Sequence, residues 1–294
     1  MGTANVLRTL LAEDRCHLMP CCFDALSAKL IEQEGCPLTY MSGFAASATK
    51  LGAQDLGLMS YGEVVDHVRY IASAIQIPLI ADGDTGYGNA MNVRRTVVGL
   101  AQAGAAAVMI EDQVAPKRCG HTPGKVVVPR NEAFDRIRAA VDARNELMAT
   151  GGPETLILAR TDSRYEYGLA EAIERAARFA ELGADILFIE APQTESEMTE
   201  ICRSLPGPMM VNIVEGGLTP ELPIDALQAI GYSLAAYPLT LLATAMRAMI
   251  DSLRAMRHQS TMNLIDFGEL RERVGFNDYY EISARYSSSN RESG

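Results

Sequence analysis

The sequence predicts a (β/α)8 barrel of the TIM type, an α/β fold, carrying a C-terminal helical arm. Short apolar runs alternate with helical stretches through about eight units, the number such a barrel needs. Glycines 35, 104, 183 and 231 each close a helical stretch just before an apolar run. The rival doubly wound sheet would want a G-x-G-x-x-G turn after the first strand, where Cys21-Cys22-Phe23-Asp24 stands instead.

The elements follow in order. Leu18–Cys22 reads as the first strand, after which Asp24 caps a helix running through Glu34. Leu38–Ser42 is the second strand, followed by small residues and a helix around Tyr61–Ile75. Pro78–Ala81 is the third, with Met91–Ala103 as its helix, and Ala106–Ile110 is the fourth. A long loop then leads to a helix over Asn131–Met148. Leu156–Ala159 is the fifth strand, and Gly168–Leu182 has amphipathic helical spacing. Ile186–Ile189, Met209–Val211 and Leu234–Tyr237 complete the strands, and Leu239–Met256 is the closing helix. Residues 1–257 are therefore the expected catalytic barrel. Residues 258–294 are polar, weakly helical from Asn263 to Tyr286, Ser-rich at the end, and too short for a core of their own. They read as an arm that packs on the barrel or on a neighbouring subunit.

Composition narrows the partners. The chain has 294 residues, 48% hydrophobic and 21% charged, ample for a full core, with a formal net charge of −11. Such a surface repels nucleic acid and anionic membranes, so no nucleic acid and no membrane partner is expected. The absence of Trp argues against a base-stacking platform. Glu13, Asp14 and Arg15 interrupt any secretory apolar region, and the longest apolar stretch, Leu234–Met246, is short and contains Pro238. The six cysteines have no C-x-x-C spacing, the pattern of reduced thiols in a cytoplasmic protein.

In a barrel of this kind the active site lies at the C-terminal ends of the strands. The polar residues there are Tyr40, Ser42, Asp82, Asp84, Glu111, Arg160, Glu190 and Asn212, with Asp55 on the loop after the second strand. Carboxylates converging on one rim repel each other unless a cation sits among them. Oxygen ligands with few histidines favour Mg2+ or Mn2+ over zinc. The loop after the fourth strand carries Lys117-Arg118-Cys119-Gly120-His121, in which flanking cations can stabilise a Cys119 thiolate for proton transfer. Taken singly, each has a blander reading. Asp82 or Asp84 could form a turn, Glu190 could be a loop carboxylate, Cys119 could be packing, and His121 could hydrogen-bond its own loop. Their joint placement at strand ends decides for chemistry. Two nucleotide motifs fail: the glycines of Gly83–Gly88 have the wrong dinucleotide spacing, and Gly120–Lys125 is one residue short of a phosphate loop, with Val126 in place of the hydroxyl.

Tyr40-Met-Ser42-Gly43, Asp55-Leu-Gly57, Asp82-Gly-Asp84-Thr-Gly-Tyr-Gly88, Glu111-Asp-Gln113, Lys117-Arg-Cys119-Gly-His121, Arg160-Thr-Asp162 and Asn212-Ile-Val-Glu215-Gly-Gly-Leu-Thr-Pro220 together resemble the isocitrate lyase/phosphoenolpyruvate mutase superfamily, from about residue 18 onward. The resemblance implies a barrel whose last helix swaps between subunits, as a homodimer or homotetramer. It also implies Mg2+, with Mn2+ as an alternative, and a small anionic 2-oxo or 2-hydroxy carboxylic acid as substrate. Asp84 resembles the direct metal ligand, with Asp55, Asp82 and Glu111 around the metal's waters. Ser42, Gly43 and the Phe44 amide resemble the carboxylate cradle, Arg160 a second anchor, and Lys117–His121 the gating loop that holds Gly120.

Within the superfamily, Lys-Arg-Cys-Gly-His marks the carbon–carbon lyase branch, and a carboxyphosphonoenolpyruvate mutase subgroup keeps it. The chain is far shorter than isocitrate lyases. Pro238 in Tyr-Pro-Leu resembles the methylisocitrate-lyase type, whereas oxaloacetate hydrolases tend to carry serine near there. Gly83 departs from the usual D-A-D, and a small residue is expected to be tolerated. The expected reaction is retro-aldol cleavage of a 2-methylisocitrate or 2,3-dimethylmalate type acid to pyruvate. Tyr40 or a carboxylate-held water would act as base and Cys119 as general acid. An oxaloacetate-type hydrolase and a phosphonomutase are the alternatives. Phe44, Leu218 and Leu239 are expected to read the C3 substituents.

Overall fold

A computed structural model of the chain describes residues 2–118, 120 and 124–286. Eight parallel strands pair in sequence order, and the first returns to the last to close the barrel. The elements run α1 Thr3–Leu11, β1 His17–Cys22, α2 Ala25–Gln33, β2 Thr39–Met41, α3 Gly43–Leu51, α4 Tyr61–Ala74, β3 Leu79–Asp82, α5 Ala90–Gln102 and β4 Ala107–Glu111. They continue α6 Arg130–Ala149, β5 Leu156–Thr161, α7 Arg164–Tyr167, α8 Leu169–Glu181, β6 Ile186–Ile189, α9 Glu195–Ser204, β7 Met209–Asn212, α10 Ile224–Ile230, β8 Leu234–Tyr237 and α11 Thr240–His258. The expected barrel is the one observed.

Strand periodicity sorts the core into two layers. Met19 and Cys21, Tyr40, Ile80, Met109, Leu158, Phe188, Met210 and Ala236 fill the interior. The alternate residues, among them Cys22, Met41, Ala81, Val108, Ile110, Ile157, Ala159, Leu187, Ile189 and Val211, pack outward against the helices. Following the inward row two residues further along each strand reaches Ser42, Asp82, Glu111, Arg160, Glu190, Asn212 and Pro238. The same alternation that builds the apolar interior therefore delivers the polar rim.

Several short helices were not in the sequence reading. α1 closes the N-terminal end of the barrel: Ala4 and Leu7 join the interior cluster beside Leu38, Leu156 and Leu234, and the His17 ring pairs with the Leu10 carbonyl at 2.9 Å. The small residues after β2 form α3, capped by the Ser42 hydroxyl, which accepts from the Ala45 amide at 3.2 Å. α7 and α9 also go beyond the sequence reading, being only four and ten residues long, while α10, seven residues long, is the stretch that Gly231 closes. In helices this short, packing on the barrel outweighs local propensity.

The chain divides into compact units Met1–Ala243 and Thr244–Gly294, where the sequence placed its boundary after residue 257. In the second unit the weakly helical stretch resolves into α12 Phe267–Val274 and α13 Phe276–Ala284. Gly275 breaks them at φ 102°, a conformation open to glycine. Among the described residues no helix is long and apolar enough to cross a membrane.

Candidate active site

The loop after β4 is built on a short antiparallel stem. The Val114 amide donates to the Val126 carbonyl and the Val128 amide to the Asp112 carbonyl, each at 2.8 Å, around a Gln113–Val127 bridge. Gln113 then grips Arg118 twice: its Oε1 accepts the Arg118 amide at 2.8 Å, and its Nε2 donates to the Arg118 carbonyl at 2.9 Å. Arg136 from α6 fixes the base by donating to the Glu111 and Gln113 carbonyls. Lys117, Arg118 and Gly120 are thereby carried over the strand ends. Cys119 and His121 lie outside the described residues.

Two buried charge clusters meet there. In the first, the Lys117 ammonium lies 2.7 Å from Asp55 Oδ2 and 2.8 Å from Asp84 Oδ1. Asp82 accepts the Asp84 amide at 3.0 Å on one oxygen and the Gly43 amide at 3.2 Å on the other. Asp84 sits at φ 49°, a left-handed conformation that lets the chain turn directly off the end of β3. Burial pushes the Asp84 carboxyl up to about 6 against the pull of Lys117, with Asp82 and Asp55 adding to the rise. Burial would lower Lys117, but the surrounding acids hold its ammonium well above the usual lysine range.

In the second cluster Arg160 serves three acids. Its Nε lies 2.8 Å from Asp162 Oδ2 and 3.3 Å from Glu111 Oε2, and its Nη2 lies 3.0 Å from both Asp162 Oδ1 and Glu190 Oε2. The Phe188 ring backs the guanidinium at 5.2 Å, and Asn212 donates to Glu190 at 3.1 Å. Nη1 has no protein partner among the described residues. Burial raises Asp162, yet Arg160 and then Lys125 hold it below the usual carboxylate range. Burial dominates at Glu111 and, with the Asp82 charge, at Tyr40; it raises both well above their ordinary values.

Both clusters open on a cleft whose empty space, open solvent included, is about 520 Å3. Its walls include Tyr40, Ser42, Gly43, Phe44, Asp55, Asp82, Lys117, Arg118, Gly120, Arg160, Glu190 and Asn212. Val214, Pro238 and Leu239 form an apolar side with Phe44. Of the residues that the sequence nominated, Asp84 and Glu111 stand just behind this wall. Leu218 is not among the lining residues. At Gly43 an added Cβ would meet Asp82 Oδ2 at 2.5 Å, and at Gly83 it would meet the Met109 carbonyl at 2.5 Å, so backbone approaches closely at both. A D-A-D chain must shift β4 or the turn slightly to fit its methyl group.

Sequence reasoning missed Asp162, Lys125 and Val214. Asp162 had a signal: two residues beyond Arg160, it belongs to the same inward row. Lys125 had none, because its place depends on how the loop returns.

The donor set fits a hard divalent cation. Asp55, Asp82, Asp84 and Glu111 offer oxygen only, Lys117 already brings a positive charge among them, and Glu111 Oε1 is buried without a partner among the described residues. No three of these groups converge tightly enough to chelate an ion alone, among the described residues.

Comparison with known proteins places these features in context. The sequence pattern described as phosphoenolpyruvate phosphomutase matches residues 7–257. The chain is 39% identical over 293 residues to a 2,3-dimethylmalate lyase of Eubacterium barkeri, covering 98% of this chain and 99% of that protein. It is 40% identical over 288 residues to a chloroplastic carboxyvinyl-carboxyphosphonate phosphorylmutase of Arabidopsis thaliana, covering 95% and 83%. Among solved structures, an oxaloacetate acetylhydrolase in complex with the inhibitor 3,3-difluorooxalacetate superposes with a TM-score of 0.92 at 33% identity, covering 97% of both chains.

Proposed function

From the premise that this chain belongs to the phosphoenolpyruvate phosphomutase family, and is an enzyme of the isocitrate lyase/phosphoenolpyruvate mutase superfamily, we propose that it cleaves a 2-hydroxy di- or tricarboxylate of the 2,3-dimethylmalate or 2-methylisocitrate type to pyruvate and a second carboxylate. The observation that carries this reading is Arg160, locked on one edge by three acids and left with Nη1 for a ligand, in a cavity that Asp55, Asp82 and Lys117 of the other cluster also line. One wall holds an anion and the other an acid-rich cation site, the two demands of a 2-hydroxy acid.

The start of α3 contributes the first anchor. Ser42, Gly43 and Phe44 at its N-terminus line the cavity, where the helix dipole favours a carboxylate. A divalent cation, Mg2+ with Mn2+ as substitute, would be held by Asp84 with Asp55, Asp82 and Glu111 around it, and would supply charge neutralisation and a lowered pKa at the substrate's C2 hydroxyl. Tyr40 stays protonated, since burial and then Asp82 raise its phenol, and it donates a hydrogen bond beside the reacting oxygen. The proton of the C2 hydroxyl leaves to a water held on a carboxylate. The C2–C3 electron pair then departs with C3 as a carboxylate enolate while C2 becomes the oxo carbon of pyruvate. Arg160 offsets the enolate charge. The Cys119 thiol, set between Arg118 and Gly120 in the sequence, returns a proton to C3, with Lys117 and His121 on the same loop.

The carboxyphosphonate mutase at 40% identity supports a second reading, phosphonomutase chemistry in the same cavity. Oxaloacetate hydrolysis is less favoured, because Pro238 stands in the cavity wall. Pyruvate release from each acid, with Mg2+ and then EDTA, in the wild type and in Cys119→Ala, tests the lyase. Metal-dependent pyruvate lost in the variant supports it. No pyruvate from either acid sinks it and turns attention to phosphonates.

We further place the protein in the cytoplasm as a homodimer or homotetramer with no nucleic-acid or membrane partner. Met256, Leu264 and Phe267 of the second unit are 62%, 65% and 73% exposed, a surface that another copy of the chain would cover. Molar mass by light scattering tests the assembly.

A further inference from the structure

Lys125 is 3% exposed yet has no part in the chemistry above. Its ammonium lies 3.2 Å from Asp162 Oδ1 and donates to the Gly120 carbonyl, with the Tyr165 ring 5.3 Å away. Asp162 is the carboxylate that takes the fork of Arg160. Gly120 lies against the same guanidinium: a Cβ there would stand 2.5 Å from Arg160 Nη2 and 2.6 Å from the Glu190 carboxylate. We propose that Lys125 is a positioning residue for Arg160, holding Asp162 in the guanidinium fork and the Gly120 peptide against Nη2, so that Nη1 is kept for the substrate.

Charge balance gives the physical reason. Glu111, Asp162 and Glu190 all reach Arg160, and Lys125 is the second cation on Asp162. Without Lys125, Asp162 rests on Arg160 alone and competes with the other two acids for its orientation. Removing one partner from a buried ion network leaves the remainder uncompensated, and the network rearranges. Only the link to substrate rests on the lyase reading; the Arg160 geometry does not.

Two readouts separate the two ideas. In 15N-arginine-labelled protein, with the Arg160 Nε–H signal identified by its loss in Arg160→Lys, the wild type should exchange this proton slowly. Lys125→Met should speed exchange at least about tenfold, Lys125→Arg should restore it, and kcat/KM for pyruvate release should fall about ten- to a hundredfold in Lys125→Met. Exchange within threefold of wild type in Lys125→Met overturns the proposal, as does faster exchange with kcat/KM unchanged in an active enzyme. Equal loss in Lys125→Met and Lys125→Arg, with melting temperatures near wild type, points to packing and also overturns it. Asp162→Asn keeps the shape and removes the charge that Lys125 holds. It must loosen the same proton, and if it does not the proposal falls even should Lys125→Met fail to fold. A wild type inert on every candidate acid sinks the lyase reading alone, because the exchange measurement still decides for or against Lys125.

Discussion

Lys117 and Asp84 meet at 2.8 Å, ammonium nitrogen to carboxylate Oδ1, at the mouth of the barrel. Asp55 completes the contact on the other side at 2.7 Å. A cluster that draws a lysine so deeply among its acids is one that a divalent cation should stabilise. At a hundred times its Kd, Mg2+ should stabilise the folded wild type by about 2.7 kcal/mol, a rise of several degrees in melting temperature. EDTA should remove that rise, and Asp84→Asn should abolish it. A variant that keeps the full rise would remove Asp84 from the metal's ligands.

Gly120 supplies a second prediction. Its missing side chain leaves the space that Arg160 Nη2 and the Glu190 carboxylate occupy. Gly120→Ala must displace one of them, at an overpacking cost of about 1–3 kcal/mol. Because both groups belong to the site, kcat/KM should fall about tenfold or more while the melting temperature moves by only a few degrees. Steady-state kinetics beside a thermal melt checks the split, and unchanged kinetics would show that the loop can lift away from Arg160 without loss.

Much of this site was legible because β-strands alternate. Once Met109, Leu158 and Phe188 are placed inside the barrel, Glu111, Arg160 and Glu190 two residues on must share its mouth. Asp84 was legible as a residue near a strand end but not in its aim, since the chain has already left β3 and turns at φ 49° there. Lys125 was not legible, because its reach to Asp162 depends on the antiparallel stem that brings residues 126–128 back beside 112–114. The short helix α1 escaped for a related reason: Ala4 and Leu7 gain their burial from the far end of the barrel, which no local pattern reports.

His67 gives a pH prediction away from the chemistry. Its ring pairs with the Phe23 carbonyl at 2.7 Å, tying α4 to the end of β1. Burial lowers its pKa below the ordinary 6.5, and the Phe23 hydrogen bond opposes this only in part. A histidine held neutral in the fold but free to protonate when unfolded leaves stability intact above about pH 6.5, and stability is lost as pH falls toward the folded value. His67→Gln should therefore lose less melting temperature than wild type between pH 7.5 and 5.5. Parallel losses would assign the acid sensitivity to other groups.

The last prediction concerns which acid is cleaved faster. Phe44, Val214, Pro238 and Leu239 make one side of the cavity apolar. Behind Leu239, the Thr240 hydroxyl donates to Glu215, which puts an acid on that side. Lys117 is engaged by Asp55 and Asp84, and Arg160 by Glu111, Asp162 and Glu190. The C3 methyl of 2,3-dimethylmalate suits such a wall, whereas the carboxymethyl of 2-methylisocitrate would place a carboxylate against apolar surface with an acid behind it. An unpaired charge there costs several kcal/mol, well beyond the worth of one methylene. The ratio of kcat/KM should favour 2,3-dimethylmalate by at least about tenfold, and Leu239→Arg should narrow it by raising the rate on 2-methylisocitrate. Faster cleavage of 2-methylisocitrate by the wild type would mean that Arg118, which lines the same cavity, or a cation of a second subunit serves this wall.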